Sequence, residues 1–344
     1  MSYHPGSYGA GGASSPNLVA AVANEGVLGF LAAGYLSTEI LEKQIIETKS
    51  KTNKIFGVNL FIIDPLIQNN FIKPENICAI EKELGIFKTK KIKIHIDEEI
   101  ENKIDIIIKH NVKIVSFTFG LPNKKIIEKL KKHNIYTIGS STNIIEAKII
   151  EELGLDAVVA QGIEAGGHRA SFLNHNLRDE IGLISLLQEF QGLIQIPVIA
   201  SGGIITGKSL LAVETLGATS SQIGTGFLLT EESGIPKSYK ESLLNCHSHE
   251  TILTEYVSGK KARGKFNLLI ENLQSKKTKK AEFPIQNSMT KDIRAFASKN
   301  ENPDFMSLWC GQSVWKIKKI ISAKQFIFNI MAEYQEEINK IKKL

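Results

Sequence analysis

The chain lacks most features that would mark it as secreted, membrane-bound or nucleic-acid-binding. Its 344 residues hold three cysteines, Cys78, Cys246 and Cys310. An odd, widely spaced set is no disulfide framework and fits a reducing compartment. No uninterrupted apolar run is long enough to cross a bilayer. The opening Met-Ser-Tyr-His-Pro-Gly-Ser has neither the basic start nor the apolar middle of a signal peptide. Charge of one sign is scarce as well: 42 Lys and Arg against 36 Asp and Glu leave a net +6. That excess can attract small anions but is too small and scattered for nucleic acid. There is no Gly-Lys-Ser/Thr phosphate loop and no Gly-x-Gly-x-x-Gly after the first strand, so nucleoside triphosphate and Rossmann-type binding are unsupported. The expectation is a soluble cytoplasmic protein with no nucleic-acid or membrane partner; its oligomeric state is left open.

What is present is an ordinary globular composition, 42% hydrophobic and 23% charged, with enough length for a sizeable core. Apolar β-rich runs alternate with amphipathic helical stretches. The pattern predicts strands over 28–31, 55–62, 113–118, 135–138, 157–160, 198–200 and 220–223. Helices are predicted over 16–24, 37–49, 74–84, 100–110, 123–133, 143–153, 181–191 and 208–216. Strand–helix–strand order calls for parallel strands joined by right-handed crossovers. Glycine-rich loops at the later strand ends favour an α/β TIM (β/α)8 barrel over an open sheet. The strands number seven, however. The eighth should precede Pro16, where the sequence has loop composition.

The alternation fades after residue 230. The chain therefore divides into a cofactor-binding barrel (1–230), a smaller, mainly helical substrate-side domain (231–310) and a C-terminal helix packing back on the barrel (311–344). The basic runs 88–93 and 276–280 read as solvated loops.

One stretch carries more chemistry than any other. Residues 158–169, Val-Val-Ala-Gln-Gly-Ile-Glu-Ala-Gly-Gly-His-Arg, run from a buried strand through a glycine turn to His168. Glycine lets a flat ligand approach the main chain, and histidine exchanges a proton cheaply near neutral pH. Two further glycine clusters follow, at 197–207 and 221–226. In barrels the loops after the last two strands commonly hold a phosphate on backbone N–H groups and a helix N-terminus. Gly202, Gly203, Gly224 and Thr225 suit that task; tight packing turns are the alternative. A phosphate held there would lay a planar ring across the barrel mouth, bordered by Gln161, Gly166 and Gly167, with an amide offered by Asn59. Flavin mononucleotide (FMN) fits best.

Asn59 could equally be a turn residue, and Arg169 either an anion attractor or a structural ion-pair residue. Trp309 and Cys310 either pack or line the site. The Cys246-His247-Ser248-His249-Glu250 run matches no metal-site spacing, and no metal is expected.

These motifs resemble those of the bacterial class of nitronate monooxygenases, formerly called 2-nitropropane dioxygenases. The likeness is carried by Ala13-Ser-Ser-Pro-Asn-Leu-Val-Ala-Ala-Val, Phe56-Gly-Val-Asn-Leu-Phe, Val115-Ser-Phe-Thr-Phe-Gly-Leu-Pro122, 156–172, 197–207, 222–233, Ser258-Gly-Lys-Lys-Ala-Arg-Gly264, Phe283-Pro-Ile-Gln-Asn and Leu308-Trp-Cys-Gly-Gln. The resemblance implies an FMN-bound barrel with His168 as catalytic base and flavin contacts at Asn59, Gln161, Gly166, Gly203, Gln222, Ile223, Gly224 and Thr225. It implies oxidation of anionic alkyl nitronates, such as propionate 3-nitronate, by O2 to a carbonyl compound and nitrite. Two rival readings are a flavin-dependent enoyl-acyl-carrier-protein reductase and a degenerate, non-catalytic FMN-binding barrel. The family's usual opening, Pro-Ile-Ile-Gln-(Ala/Gly)-(Pro/Gly)-Met, is absent. The expectation is thus an altered or truncated N-terminus, an incomplete barrel and weakened FMN binding.

Overall fold

The computed structural model describes residues 2–3, 13–173, 180–275 and 280–343. Eight parallel strands close into a barrel: β1 (Ser2–Tyr3), β2 (Leu28–Ala32) and β3 (Gly57–Phe61), then β6 (Ile114–Thr118), β7 (Tyr136–Ser141), β8 (Ala157–Gln161), β10 (Val198–Ser201) and β11 (Ser220–Ile223). The numbers skipped belong outside the barrel, to β4 (Leu66–Ile72), β5 (Lys91–Ile96) and β9 (Gly167–His168), and two later strands follow, β12 (Thr251–Thr254) and β13 (Ala262–Lys265).

The expectation of an open barrel is corrected here. Ser2 and Tyr3 pair with Gln222 and Ile223 on one side and with Leu28 and Gly29 on the other. Two residues, too few to produce a readable pattern, are enough to close the ring. The weakened flavin binding inferred from a gap therefore loses its premise. Residues 4–12 lie outside the described residues.

Helix starts follow local chemistry. Ser15, Ser37, Asn123 and Asn143 each accept a backbone N–H of the first turn, ahead of helices Pro16–Asn24, Thr38–Lys51, Lys124–Lys132 and Ile144–Glu152. Pro16 occupies an early helix position, where its missing N–H does no harm. One face of the strands packs on these helices: Val58, Leu60, Val115, Phe117, Val158, Ala160 and Ala200 join helix residues such as Leu18, Ile45, Ile107 and Ile150 in the main core.

The other face fills the barrel in layers. Phe30, Ile138, Ala157, Val159 and Ile199 form an apolar lower layer. Ser140, Gln161 and Ser201 stand two residues further along the same strands, and Asn59, Ser116, Thr118 and Gln222 join them on the inward face. Because side chains alternate along a strand, the interior turns from apolar to polar toward the strands' C-terminal ends. That end is where barrel sites are built.

Two segments cover this end. The first is an insertion after β3, in which β4 and β5 form an antiparallel ribbon around helix Glu75–Glu83. Of the two helices predicted between strands 55–62 and 113–118, 74–84 belongs to this insertion and Ile100–Lys109 leads into β6. Basic run 88–93 was expected as a loop; its Lys91–Lys93 part lies in β5, and Lys88 pairs with Asp292 at 2.6 Å. Run 276–279 lies outside the described residues, while Lys280 pairs with Glu255.

The second segment, 231–310, is not only helical. It contributes β12 and β13, which form a three-stranded antiparallel sheet with β9. Buried Lys73 pairs with Glu81 and, at 3.2 Å, with Asp292 of helix Lys291–Lys299, tying the two segments together. The C-terminal helix Ala323–Ile341 lies against helix Gly207–Thr215 so closely that a Cβ on Gly207 would fall 2.1 Å from the Tyr334 nitrogen. Among the described residues, no helix is long and apolar enough to cross a membrane.

Candidate active site

A cleft of about 1090 Å³, open part included, occupies the polar end of the barrel. His168 lines it, delivered by the turn after β8. The imidazole's backbone is fixed from both units: β9 pairs with β13, Ala262 opposite His168 and Arg263 opposite Gly167. Gln161 ends β8 and reaches forward, its Nε2 donating to the His168 carbonyl at 3.1 Å. Its Oε1 accepts from Arg169 Nη1 at 3.0 Å and from the Ala170 amide at 2.9 Å.

The turn between them needs glycine for two reasons. A Cβ on Gly166 would sit 2.4 Å from the Gly311 nitrogen, so the close approach is to main chain. Gly167 has φ +76°, with nothing within 4 Å of where a Cβ would lie, so there the demand is conformational.

Ring contacts hold the imidazole in place. Phe119 lies edge-on at 5.6 Å, Trp309 at 5.5 Å and Phe283 at 6.0 Å. Its Nε2 is 2.7 Å from Ser258 Oγ, and that hydroxyl donates to the Lys260 carbonyl at 3.1 Å. Burial, helped by the charges of Lys260 and Arg294, pulls the His168 pKa from 6.5 down to about 3. The ring is therefore neutral across the physiological range.

The opposite wall is made of main chain. Gly202 (φ +116°) and Gly203 (φ +71°) follow β10 in left-handed conformations, and Gly224 and Thr225 follow β11. Thr225 opens the short helix Thr225–Leu228 and accepts the Gly311 amide at 2.9 Å. The neighbouring helix Gly207–Thr215 offers no free end. Its start is closed by a Thr206–Ser209 capping box and by Glu333, which accepts the Gly207 N–H at 2.8 Å. Of the two loops, the one after β11 thus has the helix N-terminus still facing the cleft.

A sequence profile of the nitronate monooxygenase family matches residues 5–333. The chain belongs to the nitronate monooxygenase family. It is 37% identical over 330 residues to a probable nitronate monooxygenase of Bacillus subtilis (strain 168), covering 94% of this chain and 93% of that protein. With a probable nitronate monooxygenase of Staphylococcus haemolyticus the identity is 38% over 315 residues, 89% of this chain and 87% of that one. Among solved structures, nitroalkane oxidase from Streptomyces ansochromogenes superposes with TM-score 0.87 at 30% identity, over 99% of this chain and 96% of that one. FabK from Thermotoga maritima gives TM-score 0.76 at 27% identity, over 99% and 95%.

Within this nitronate monooxygenase fold, His168, Gln161, Gly166, Gly203, Gln222, Gly224 and Thr225 all line the cleft. Asn59 and Ile223 do not: both are 1% exposed and sit one layer behind. Asn59 Oδ1 accepts from Ser116 Oγ (2.9 Å) and from Thr118 Oγ1 (3.0 Å), and Thr118 itself lines the cleft. Asn59 Nδ2 is buried with no hydrogen-bond partner among the described residues.

Arg169 is 1% exposed and donates to the Gln161 and Gly162 carbonyls at 2.9 and 2.7 Å. It braces the turn and does not line the cleft. Trp309 lines the cleft, whereas Cys310 is fully buried behind Gly166. Among the described residues, no group of three or more His, Cys, Asp or Glu could hold a metal ion.

Sequence reasoning missed Tyr35, Phe119 and Ser258. The first two are aromatic residues at φ +63° and +72° that line the same cleft. A bulky residue held in that region is strained, and such strain gathers at functional sites. Only the motif 258–264, noticed as a likeness without a role, could have pointed to Ser258.

Proposed function

We propose that the chain is an FMN-dependent nitronate monooxygenase that oxidises alkyl nitronates, propionate 3-nitronate among them, with O2 to a carbonyl compound and nitrite. The observation that carries this reading is a neutral imidazole fixed beside a glycine-walled cleft. The donors suit a flavin. Asn59 Nδ2 is a buried donor lacking an acceptor, a state that costs about 1–3 kcal/mol unless a ligand carbonyl relieves it. Gly203, Gln222, Gly224 and Thr225 would hold the phosphate side, with Gln161 and Gly166 bordering the ring and Asn59 and Ile223 supporting them from behind. When bound, the flavin supplies the redox chemistry, and the protein supplies position and electrostatics.

His168 handles the proton. A hydroxyl has one hydrogen, and that of Ser258 goes to the Lys260 carbonyl. With the hydroxyl hydrogen so placed, Ser258 Oγ accepts from His168 Nε2–H and Nδ1 keeps the lone pair. A neutral nitroalkane would lose its α-proton to Nδ1. An imidazole whose pKa lies near 3 is a weak base, so nitronates, already deprotonated, are the better substrates. The same positive surroundings that disfavour imidazolium favour an anion.

The test is nitrite release from propionate 3-nitronate in air by the purified yellow protein. Rapid anaerobic bleaching by NADH without nitrite formation would assign an enoyl-acyl-carrier-protein reductase instead. Neither response would leave a degenerate barrel.

A further inference from the structure

Resting on that reading, we propose that Glu98 and Lys103 are positioning residues: a buried ion pair outside the cleft that sets Tyr35 and, through it, the ring wall on which a substrate's alkyl chain lies. Tyr35 stands in the loop between β2 and helix Thr38–Lys51, with φ +63°. That backbone is strained for a bulky side chain and persists only where the surroundings enforce it. Here they enforce it on both sides. The Tyr35 N–H donates to both Glu98 carboxylate oxygens, at 3.0 and 3.2 Å. Two residues earlier, the Ala33 carbonyl accepts from Lys103 Nζ at 3.1 Å. Lys103 Nζ then donates to Glu98 Oε2 at 2.8 Å, closing the circuit. Glu99 Oε2 accepts from the N–H and the hydroxyl of Thr38, at 3.0 and 2.9 Å, so the loop is also held where it enters its helix.

Stability is a poor reason for this pair. Lys103 is 0% exposed and Glu98 2%. Taking two charges out of water costs free energy that their attraction need not return, and an apolar pair of like volume is often as stable or more so. What an apolar pair cannot do is bond one N–H and one C=O of a passing loop. Neither residue lines the cleft. Glu98 follows β5 at the end of the insertion, and Lys103 stands on helix Ile100–Lys109. Both act on the cleft only through the loop they grip.

The grip reaches the reacting end by direct packing. A Cβ on Gly34 would fall 2.3 Å from the Phe61 ring, so the loop lies on that ring. Tyr35 stands edge-on to Phe61 at 5.4 Å, Phe61 lies against Phe119 at 4.4 Å, and Phe119 stands edge-on to His168 at 5.6 Å. Tyr35, Phe61 and Phe119 all line the cleft. A fixed row of rings leading to the imidazole suits an apolar chain, whose affinity depends on many small contacts at the right separation. Without the pair the loop relaxes toward an ordinary φ, Phe61 loses its backing, and a chain on the wall loses contacts in proportion to its length.

The test compares butane-1-nitronate with ethyl nitronate on the holoenzyme, two substrates that differ only in chain length. Glu98→Leu/Lys103→Met removes every bond from the pair to the loop and leaves no charge buried alone. It should raise KM for butane-1-nitronate about threefold or more, with kcat little changed and ethyl nitronate nearly unaffected. Glu98→Gln still offers the Tyr35 N–H an acceptor; it should show a smaller rise, and it stays informative if the double variant fails to fold. Tyr35→Ala should raise the same KM, and adding the double substitution to it should then change little. An unchanged KM in both the double variant and Glu98→Gln, equal rises on both nitronates, or full additivity with Tyr35→Ala would overturn the positioning role. Butyrate and acetate, titrated calorimetrically as non-reacting probes, separate this from the oxygenase reading. Wild type that oxidises neither nitronate, yet whose preference for butyrate falls about threefold in the double variant, would overturn that reading and keep the positioning role.

Discussion

The two walls of the cleft are made of different materials. On one, Gly202, Gly203, Gly224 and Thr225 present main chain from two consecutive βα loops. On the other, Tyr35, Phe61, Phe119, His168 and Trp309 present rings drawn from residues up to 274 positions apart (309 − 35), with Lys260 over the Phe119 face at 5.2 Å. The first wall suits a phosphate and a flat ring, because backbone amides bind anions without a side chain in the way. The second suits a small anion, because it combines fixed rings with positive charge. On the proposed function, cofactor and substrate duties would fall on opposite sides, and variants on each side should separate them.

The largest effect is expected at His168. His168→Asn should slow nitrite release from neutral nitropropane by about 10²–10⁴-fold and slow nitronate oxidation far less. Equal losses on both would mean the ring orients substrate instead of taking a proton.

Next comes the glycine wall. Gly202→Val places a side chain at φ +116°, where its Cβ would meet the Ala165 amide and the Gly162 carbonyl at 3.2 Å. A strain cost of about 1–3 kcal/mol follows, and the flavin absorbance per protein should fall. Trp309→Phe on the other wall should keep the flavin and change only KM. Loss of colour in Trp309→Phe would break the division of labour.

A smaller effect is expected behind the walls. Flavin addition should raise the Tm of flavin-free wild type, by ligand linkage. Asn59→Ala removes the donor at Nδ2 and should reduce that rise, by an amount equivalent to about 1 kcal/mol of flavin binding. An unchanged rise would show that Nδ2 does not meet the ligand.

The smallest effect concerns pH. His168 titrates near 3 when folded and near 6.5 when unfolded. Between those values the unfolded chain binds the extra proton, so this group's contribution to stability falls as pH falls. The Tm of wild type should therefore drop more between pH 7 and pH 5 than that of His168→Asn. The reverse order would mean that a proton is gained on folding and that the ring is not held neutral.

Most of the barrel was legible because its signals are local. Predicted strand 220–223 and helix 16–24 coincide with β11 and Pro16–Asn24, where Ser15 caps and Pro16 starts the helix. The glycine wall was legible for the same reason: strand, glycines and helix follow one another within ten residues. β1 was not, since two residues make no period. Nor were β12 and β13, four residues each, of which β13 pairs with a two-residue strand more than 90 positions away by Cα register (Ala262 to His168). Gln161 was found as a cleft residue, but not its part in holding the turn. Its side-chain amide is committed to His168, Arg169 and Ala170, partners a list of flavin contacts would not suggest.

The sequence by itself determined the order of strands and helices, the glycine turns and the imidazole at the end of β8. These depend on hydrophobic period, capping residues and permitted φ, all set within a few residues. The tertiary structure alone decided that Ser258 would fix one nitrogen of His168 and that Arg169 would brace the turn. Tautomer, burial and charge balance depend on which groups share a space, and no local pattern encodes neighbours separated by a hundred residues.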